Sequence, residues 1–371
     1  MSSQSIIING RTAPFETGES ILDAAKKIGI EIPTLCFLKK AAPTGVCGVC
    51  AVEIDGAPDL VTACNTPASQ GMVIRTESPK VVARRKAVIK NLLSSGNHNC
   101  AVCGTGPGEW ERFQALVQGR DNAQELCPVW GDCELQNLAF LYQVQGENAA
   151  KPAQEFPKVE INPFIVRDYA RCIGCGRCAQ ACNSVQVNDA INYVPGEAKA
   201  GEFPLANEDC VFCGECIQAC PVGALVEKNA RYTVRPWETK KVRTTCSYCG
   251  VGCQLWLHVK DNRVVKVTGV EEVGPNWGSL CVKGRFGFHF VGHEERLTTP
   301  LIKENGKFRE ASWDEALDLV AKKLGEIRDA SGPDAFGLLT SARVTNEENY
   351  IAQKFARAVI KTNNVDHCAR L

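Results

Sequence analysis

The amino-acid sequence predicts an α+β multidomain protein organised around bound metal. Its 371 residues exceed the ~100–200 residues of one domain, and short strand-like segments alternate with helical ones. It contains 21 cysteines, and in a reducing compartment such a number indicates metal ligation rather than disulfides. All of them except Cys368 fall into five groups of four, which cysteines scattered for core packing would not do.

Charge and hydropathy narrow the function further. Lys plus Arg and Asp plus Glu each number 42, so the formal net charge is zero. Nucleic-acid binding needs a basic excess, so we expect no nucleic-acid partner. No apolar run reaches the ~18 residues of a membrane helix, and the N-terminus lacks the pattern of a signal peptide. These features predict a cytoplasmic protein without a transmembrane segment.

Residues 1–77 have the pattern of a small β-rich domain. A helix is predicted over 19–29, because apolar residues recur there at helical spacing. Asn9-Gly10 is a hairpin-turn sequence. The predicted strands are 5–8, 51–54 and 72–75.

Residues 78–150 form the next predicted domain. Ser78-Pro79 is an N-cap followed by a first-turn proline, so a helix should run from there to about Ser94. Its charged stretch Arg84-Arg85-Lys86 is expected to face solvent. A second helix is predicted near 134–145, and the proline-containing residues 151–163 are predicted to be a linker.

Residues 164–235 contain an internal repeat. The spacing C-x2-C-x2-C-x3-C occurs twice, 38 positions apart. This is the run of bacterial two-cluster ferredoxins, in which the fourth cysteine of each run ligates the other cluster, whereas zinc sites use paired cysteines. The predicted ligands of one [4Fe–4S] cluster are Cys172, Cys175, Cys178 and Cys220, and those of the other are Cys210, Cys213, Cys216 and Cys182.

The C-terminal part divides in two. Residues 240–295 hold the last cysteine group, whereas residues 296–371 have no group and an α/β pattern. There we predict a helix near 312–328, a strand over 336–340 and a helix near 346–361. These are too few elements to close a sheet over a core, so this α/β domain is predicted to be incomplete.

The first cysteine group connects the N-terminal domain to known proteins. Cys36, Cys47, Cys50 and Cys64 include a close pair in a glycine-rich loop, whose N–H groups can point at sulfur. Together with Ile32-Pro33-Thr34-Leu35, this group resembles the β-grasp [2Fe–2S] domain shared by the large iron–sulfur subunit of complex I, iron-only hydrogenases and NAD-linked formate dehydrogenases. The resemblance implies that the four cysteines bind one [2Fe–2S] cluster.

The second group resembles, with departures, the [4Fe–4S] site with one histidine and three cysteines that follows in those families. Cys133-Glu134-Leu135-Gln136 resembles its end. Its beginning, His98-x-Cys100-x2-Cys103, has fewer residues between the histidine and the first cysteine than is usual in those families. An insertion separates Cys103 from Cys133. Cys127-x5-Cys133 reproduces the spacing that those families usually have between the last two cysteines. The ligands we prefer are His98, Cys100, Cys103 and Cys133, and the alternative replaces His98 by Cys127.

The last group resembles the [4Fe–4S] domain that opens molybdopterin-dependent oxidoreductases. Its cysteines are Cys246, Cys249, Cys253 and Cys281, followed by Val282-Lys283-Gly284-Arg285. In that family the corresponding lysine lies between cluster and pterin and assists electron transfer, so the resemblance implies this role for Lys283. From the residues alone, an ordinary solvated lysine is an equal alternative.

The order of these modules resembles the catalytic α subunit of a cytoplasmic formate dehydrogenase, as do residues 341–350 and 362–371. The resemblance implies one [2Fe–2S] and four [4Fe–4S] clusters. They would carry electrons between a molybdenum or tungsten bis(molybdopterin guanine dinucleotide) centre, which interconverts formate and carbon dioxide, and a partner. That partner is a flavin- and NAD-binding diaphorase-type subunit or ferredoxin. The alternatives are a self-contained electron-transfer subunit of a hydrogenase or NADH dehydrogenase type complex, and a zinc scaffold.

The last residues lead to a further expectation. In formate dehydrogenases the metal-ligating cysteine or selenocysteine directly follows a stretch resembling 366–371, and selenocysteine is encoded by a codon otherwise read as stop. We therefore expect the reading frame to continue past a UGA codon. In that case the 371-residue form lacks the metal ligand and most of the pterin site, is inactive on formate, and has Cys368 as a neighbour of the site.

Overall fold

A computed structural model describes residues 4–95, 98, 128–144, 158–159, 163–192, 209–232 and 234–368. The chain divides into two compact units, Met1–Lys240 and Lys241–Leu371, each with buried apolar clusters of its own. None of the helices in the described part of the chain combines the length and hydropathy that crossing a bilayer requires.

A five-stranded sheet and one helix form the N-terminal end of the first unit. The strand order is β2-β1-β5-β3-β4, and β1 pairs with β5 in parallel. Asn9 and Gly10 both have positive φ, as the predicted hairpin turn requires. A capping box of Ser20 and Asp23 begins the helix. The elements are β1 (Ser5–Ile8), β2 (Arg11–Pro14), α1 (Ile21–Lys27), β3 (Ala51–Ile54), β4 (Val61–Thr62) and β5 (Val73–Arg75).

Helix α2 (Pro79–Ser94) has the predicted bounds and the predicted serine N-cap. The expectation that Arg84-Arg85-Lys86 faces solvent is wrong for Arg85, whose side chain is 0% exposed. Arg85 lies four residues from both Val81 and Ile89, so it belongs to the buried stripe of the helix. Arg84 and Lys86 are exposed.

Helix α3 (Glu134–Leu141) ends earlier than predicted. Gln143 has a φ of 49°, a left-handed conformation that a continuing helix cannot adopt. Helices α2 and α3 share one apolar core with segments from the N-terminal domain and the repeat. That core includes Leu35, Val49, Ile89, Leu93, Leu135 and Val222.

The repeat folds around a three-stranded antiparallel sheet, with order β6-β7-β8. Its first strand lies in the segment predicted as a linker. Helices α4 and α5 each follow a glycine in the left-handed region, and α4 continues as a π-helix over Gln180–Val185. The elements are β6 (Lys158–Val159), β7 (Ile165–Asp168), α4 (Arg177–Ala179), α5 (Glu215–Ala219) and β8 (Leu225–Glu227).

The second unit begins with a three-stranded sheet, followed by a hairpin and an α/β segment. Helices α7 and α8 confirm the two predicted helices, and strand β14 begins two residues later than predicted. Strand β15, which pairs with β14 in parallel, and the β12–β13 hairpin were not predicted, because their short polar sequences lack clear alternation. The elements are β9 (Lys240–Thr245), β10 (Gln254–Lys260), β11 (Arg263–Gly269), α6 (Val282–Phe286), β12 (Leu301–Glu304), β13 (Lys307–Glu310), α7 (Trp313–Ser331), β14 (Leu338–Ser341), α8 (Asn346–Phe355) and β15 (Val365–Cys368).

Residues 296–368 expose many large apolar side chains. Helices α7 and α8 contain no buried residue. Leu317, Leu339 and Ile351 are 57%, 83% and 63% exposed. Soluble monomers rarely leave such surface uncovered, so this segment has an apolar face that other protein could cover.

Candidate metal centres

The four cysteines of the first group converge at one end of the N-terminal sheet. The antiparallel pairing of β3 and β4 places Cys50, just before β3, beside Cys64, just after β4. Their sulfurs are 3.4 Å apart. Hydrogen bonds from the thiols of Cys47 and then Cys64 lower the pKa of Cys36, and the hydrogen bond with Cys36 raises the pKa of Cys47. Sulfurs close enough to share protons can ligate one small cluster.

The loop before Cys47 is shaped to approach these sulfurs. Gly45 has a φ of 66°, and a Cβ there would collide with the side chain of Asn65. The Thr44 hydroxyl oxygen is buried and has no hydrogen-bond partner among the described residues. It lies close enough to Cys36 to lower the pKa of that thiol. A buried donor beside the ligand sulfurs fits a [2Fe–2S] cluster, because such groups tune bound metal.

The second site is described at two of its five candidate ligands. Cys133 is the N-cap residue of α3 and is 4% exposed. His98 is 8% exposed, and its Nε2 has no hydrogen-bond partner among the described residues. Burial, and then the charge of Arg171, lower the pKa of His98 to about 4. The imidazole is therefore neutral near pH 7, the form that ligates metal.

An unpartnered buried imidazole nitrogen fits a ligand role for His98. The remaining candidates Cys100, Cys103 and Cys127 lie outside the described residues. The choice between His98 and Cys127 stays a prediction.

The repeat forms two cysteine-lined cavities. The fourth cysteine of each run lies with the first three of the other run, which is the grouping that crosswise ligation requires. One cavity is lined by Cys172, Cys175, Cys178 and Cys220, and the other by Cys210, Cys213, Cys216 and Cys182.

Because these thiols are buried, the cavities are suited to binding positively charged metal ions. Burial raises the pKa of Cys178 to about 12, and it raises the pKa of Cys175 and of Cys216 as well. Thiolates in such a place need positive charge beside them, which the irons of a [4Fe–4S] cluster supply. The residues present therefore fit two such clusters.

Buried arginines accompany these cavities and were not predicted from the sequence. Arg167 is 1% exposed and lines the first cavity, where its charge partly offsets the effect of burial on Cys178. Arg171 is 6% exposed, and its Nε lies 3.4 Å from Oδ2 of Asp168. Buried cations offset the negative charge that four thiolates bring to a buried site. The sequence signal that could have identified such residues is an arginine next to a cysteine run, as Arg171 is next to Cys172.

The last cysteine group lies at one end of the sheet of the second unit. Cys246 follows β9, and its N–H donates to the carbonyl of Cys253, 2.8 Å away. Cys281 is the N-cap residue of α6, and a Cβ on Gly284 would lie 3.6 Å from the Cys246 sulfur. Helix α6 thus packs on the group. Burial, and then the charges of the other three thiols, including Cys249, raise the pKa of Cys253, so all four interact.

Lys283 is exposed on α6, two residues after Cys281, and its role toward a pterin stays a prediction. Among the described residues, no three His, Cys, Asp or Glu side chains converge as tightly as the ligands of a single metal ion. An iron–sulfur cluster does not require this, because iron and sulfide lie between its ligands.

Four domain families match the chain. The 2Fe-2S iron-sulfur cluster binding domain matches residues 3–79, and the 4Fe-4S dicluster domain matches residues 171–224. The molybdopterin oxidoreductase Fe4S4 domain matches residues 239–293, and the molybdopterin oxidoreductase family matches residues 296–371. These matches confirm the predicted [2Fe–2S] domain, two-cluster ferredoxin domain, molybdopterin-type [4Fe–4S] domain and partial molybdopterin domain. The histidine-plus-three-cysteine domain over residues 78–150 stays a prediction.

Curated relatives match almost the whole chain. It is 36% identical over 99% of its length to the alpha subunit of NADPH-Fe(3+) oxidoreductase from Geobacter sulfurreducens. It is 34% identical over 98% to a subunit of NADH-quinone oxidoreductase from Rhizobium meliloti, and 33% identical over 100% to a formate dehydrogenase-like protein from Bacillus subtilis. The chain spans only 40% of the length of each of these relatives.

A solved structure is also similar. A chain of the NAD+-reducing [NiFe]-hydrogenase in its H2-reduced state aligns with this chain at 26% identity and a TM-score of 0.50. The alignment covers 63% of this chain and 91% of the hydrogenase chain. The similar proteins are thus named as oxidoreductases, dehydrogenases or hydrogenases, and three of their names contain NAD, NADH or NADPH.

Proposed function

We propose that this chain is the electron-transfer part of a formate dehydrogenase catalytic subunit. Its matched domains make it an iron–sulfur electron-transfer module of the molybdopterin oxidoreductase type. The observation that carries the proposal is the occurrence of cysteine-lined cavities and part of a molybdopterin domain in one chain. Part of a pterin-binding domain in the same chain favours a subunit that also holds a pterin site.

The proposed cofactors are one [2Fe–2S] and four [4Fe–4S] clusters, held by the five ligand sets above. When bound, such clusters supply one-electron transfer at potentials that the protein adjusts. The residues of the chain have three tasks. Short helices α4 and α5 bring the crosswise ligands Cys182 and Cys220 into place, glycine loops let the backbone approach sulfur, and buried arginines offset thiolate charge.

The substrate belongs to the whole protein. We propose that the whole protein interconverts formate and carbon dioxide at a molybdenum or tungsten bis(molybdopterin guanine dinucleotide) centre. In this proposal Lys283 is the residue of this chain that lies toward the pterin. The exposed apolar face of α7 and α8 and the greater length of the relatives support a larger molybdopterin domain.

The proposed electron partner is a flavin- and NAD-binding diaphorase-type iron–sulfur subunit, with ferredoxin as the alternative. The support is that similar proteins are named for reactions of NADH, NADPH or NAD+. The second candidate function is a self-contained electron-transfer subunit of a hydrogenase or NADH dehydrogenase type complex. It is favoured by the hydrogenase structure, whose matched chain is covered to 91% by this chain.

Cluster content is the first test. Anaerobically reconstituted protein should hold about 18 irons per chain, the sum for one [2Fe–2S] and four [4Fe–4S] clusters. Electron paramagnetic resonance (EPR) should show both cluster types after reduction. A fully reconstituted sample with about half that iron would contradict the cluster assignment.

Reduction by substrate is the second test. Formate added to the whole protein with its pterin centre should bleach the visible absorption of the clusters within the turnover time. A Cys175→Ser variant should lose part of that bleaching but not the rest. Clusters that are reduced by NADH through a partner but never by formate would favour the second candidate function.

A further inference from the structure

Arg177 reaches out of its own cysteine run to a second module. It lies between Cys175 and Cys178 in the first run of the repeat. Its Nη1 donates to both carboxylate oxygens of Glu134, at 2.7 and 2.8 Å. Glu134 directly follows the proposed ligand Cys133, so this ion pair joins two proposed cluster sites.

The same nitrogen reaches a third site. Nη1 of Arg177 also lies 3.4 Å from the carbonyl oxygen of Leu35, as a hydrogen-bond donor. Leu35 directly precedes Cys36. One guanidinium therefore contacts the chain neighbours of proposed ligands from the [2Fe–2S] group and the second group, while it lies inside the first ferredoxin run.

Further contacts show that these loops share a surface. The Lys40 ammonium is 3.4 Å from Oε1 of Glu215, and Nε2 of Gln180 donates to the carbonyl of Ala42. Both join the loop after Cys36 to the helices of the repeat. The position of Arg177 is thus part of a continuous contact between the two domains.

The charge of Arg177 is more than a mechanical link needs. Its side chain is 12% exposed, whereas Glu134 is 45% exposed. Its Nε is buried and has no hydrogen-bond partner among the described residues, and the residue lies between two proposed ligands, Cys175 and Cys178. The apolar core that contains Leu35 and Leu135 already joins the modules. Since burying the guanidinium costs solvation free energy, another benefit of the charge is expected.

We infer that Arg177 and Glu134 form an electrostatic pair that sets the reduction potentials of the clusters meeting at this junction. The inference rests on the proposed function as an electron-transfer module. The positive charge of Arg177 favours the reduced form of the cluster in the cavity of Cys172 and Cys220, and to a smaller extent that of the [2Fe–2S] cluster, while Glu134 opposes both effects.

Two neutral substitutions should therefore act with opposite signs. A unit charge within roughly 10 Å, at an effective dielectric of about 20, changes an equilibrium by on the order of tenfold. Arg177→Gln should lower the reduced-to-oxidised ratio at fixed potential about tenfold, which is about 59 mV for a one-electron couple. Glu134→Gln should raise that ratio by a smaller factor, because solvent screens this half-exposed carboxylate. The double variant should lie between the two.

The experiment is an EPR-monitored redox titration of the reconstituted chain. The signal lost in Cys175→Ser identifies the cluster in question, and Arg177→Lys should keep a potential near that of the unchanged protein. The matched control is Arg75→Gln, which removes an exposed arginine that lies 2.9 Å from Asp55 on the N-terminal sheet. It should shift no potential.

Potentials that stay unchanged in both glutamine variants, or that move in the same direction in both, would overturn the inference. If Arg177→Gln fails to assemble, the upward shift in Glu134→Gln alone decides, because that residue is half exposed and its loss should be tolerated. Iron content of the unchanged protein separates this inference from the proposed function. A chain without clusters refutes the function, whereas a loaded chain with unmoved potentials refutes only the role of the pair.

Discussion

Replacing Arg85 by methionine should loosen the [2Fe–2S] loop, although Arg85 is not a ligand. Its guanidinium is the buried donor for two carbonyls at the end of that loop. Nε donates to Val49 at 3.1 Å and Nη2 to Ala51 at 2.9 Å. Nη1 donates to the Tyr142 hydroxyl at 2.8 Å and to Glu77 at 2.6 Å. Helix α2 thereby ties the residues around Cys50 to the segment after α3.

The expected cost follows from these contacts. Two buried carbonyls without donors cost about 1–3 kcal/mol each, and the lost bond to Tyr142 adds about 1 kcal/mol. Glu77 is 54% exposed, so its ion pair contributes less than about 1 kcal/mol. Methionine keeps most of the apolar stem. Arg85→Met should therefore lower the free energy of local opening by about 3–7 kcal/mol, a hundredfold or greater effect.

Hydrogen exchange measured by mass spectrometry is the suitable assay, because it reports local opening without requiring two-state unfolding of a multidomain chain. Peptides that contain Ala51 or the middle of α2 should exchange at least a hundredfold faster in Arg85→Met. Arg84→Met changes the exposed neighbour on the same helix and should stay within about 0.5 kcal/mol. Equal exchange in the two variants would refute the reasoning.

Two further predictions concern single histidines. His98→Ala should remove one [4Fe–4S] EPR signal, whereas Cys127→Ala should leave all clusters assembled. The reason is that His98 is buried and its Nε2 has no partner among the described residues. If Cys127→Ala lowers the iron content and His98→Ala does not, the site has four cysteine ligands. His258 is 6% exposed and hydrogen-bonds Thr268, and burial and nearby lysines lower its pKa to about 4. The unfolded state takes up this proton below about pH 6.5, so the stability of the second unit should fall between pH 6.5 and 4 by up to about 3 kcal/mol. His258→Gln should flatten this fall in hydrogen exchange of β10 and β11, and an equally steep fall in the variant would contradict the assignment.

Much of the fold was predictable because local signals were strong. The start of α2 follows from Ser78 and Pro79, an N-cap residue and a first-turn proline. The turn at Asn9-Gly10 follows from their tolerance of positive φ. Helix α3 was predicted too long, because its apolar spacing continues past the point where Gln143 adopts a left-handed conformation. The unpredicted strand β15 depends on its partner β14, since a strand of four residues is stabilised by pairing rather than by its own sequence.

The grouping of the cysteines and the chemistry that such groups support follow from their spacing along the chain. Three ligands within one short loop reach one cluster whatever surrounds them, so spacing alone carries that information. The burial and the partners of the charged side chains, in contrast, depend on how the folded chain packs. Arg85 and Lys86 are equally polar in sequence, yet one is buried and the other exposed. Arg177 and Glu134 are 43 residues apart and meet only because a shared apolar core brings their loops together. Contacts between distant segments depend on packing of the whole unit, which no local pattern encodes.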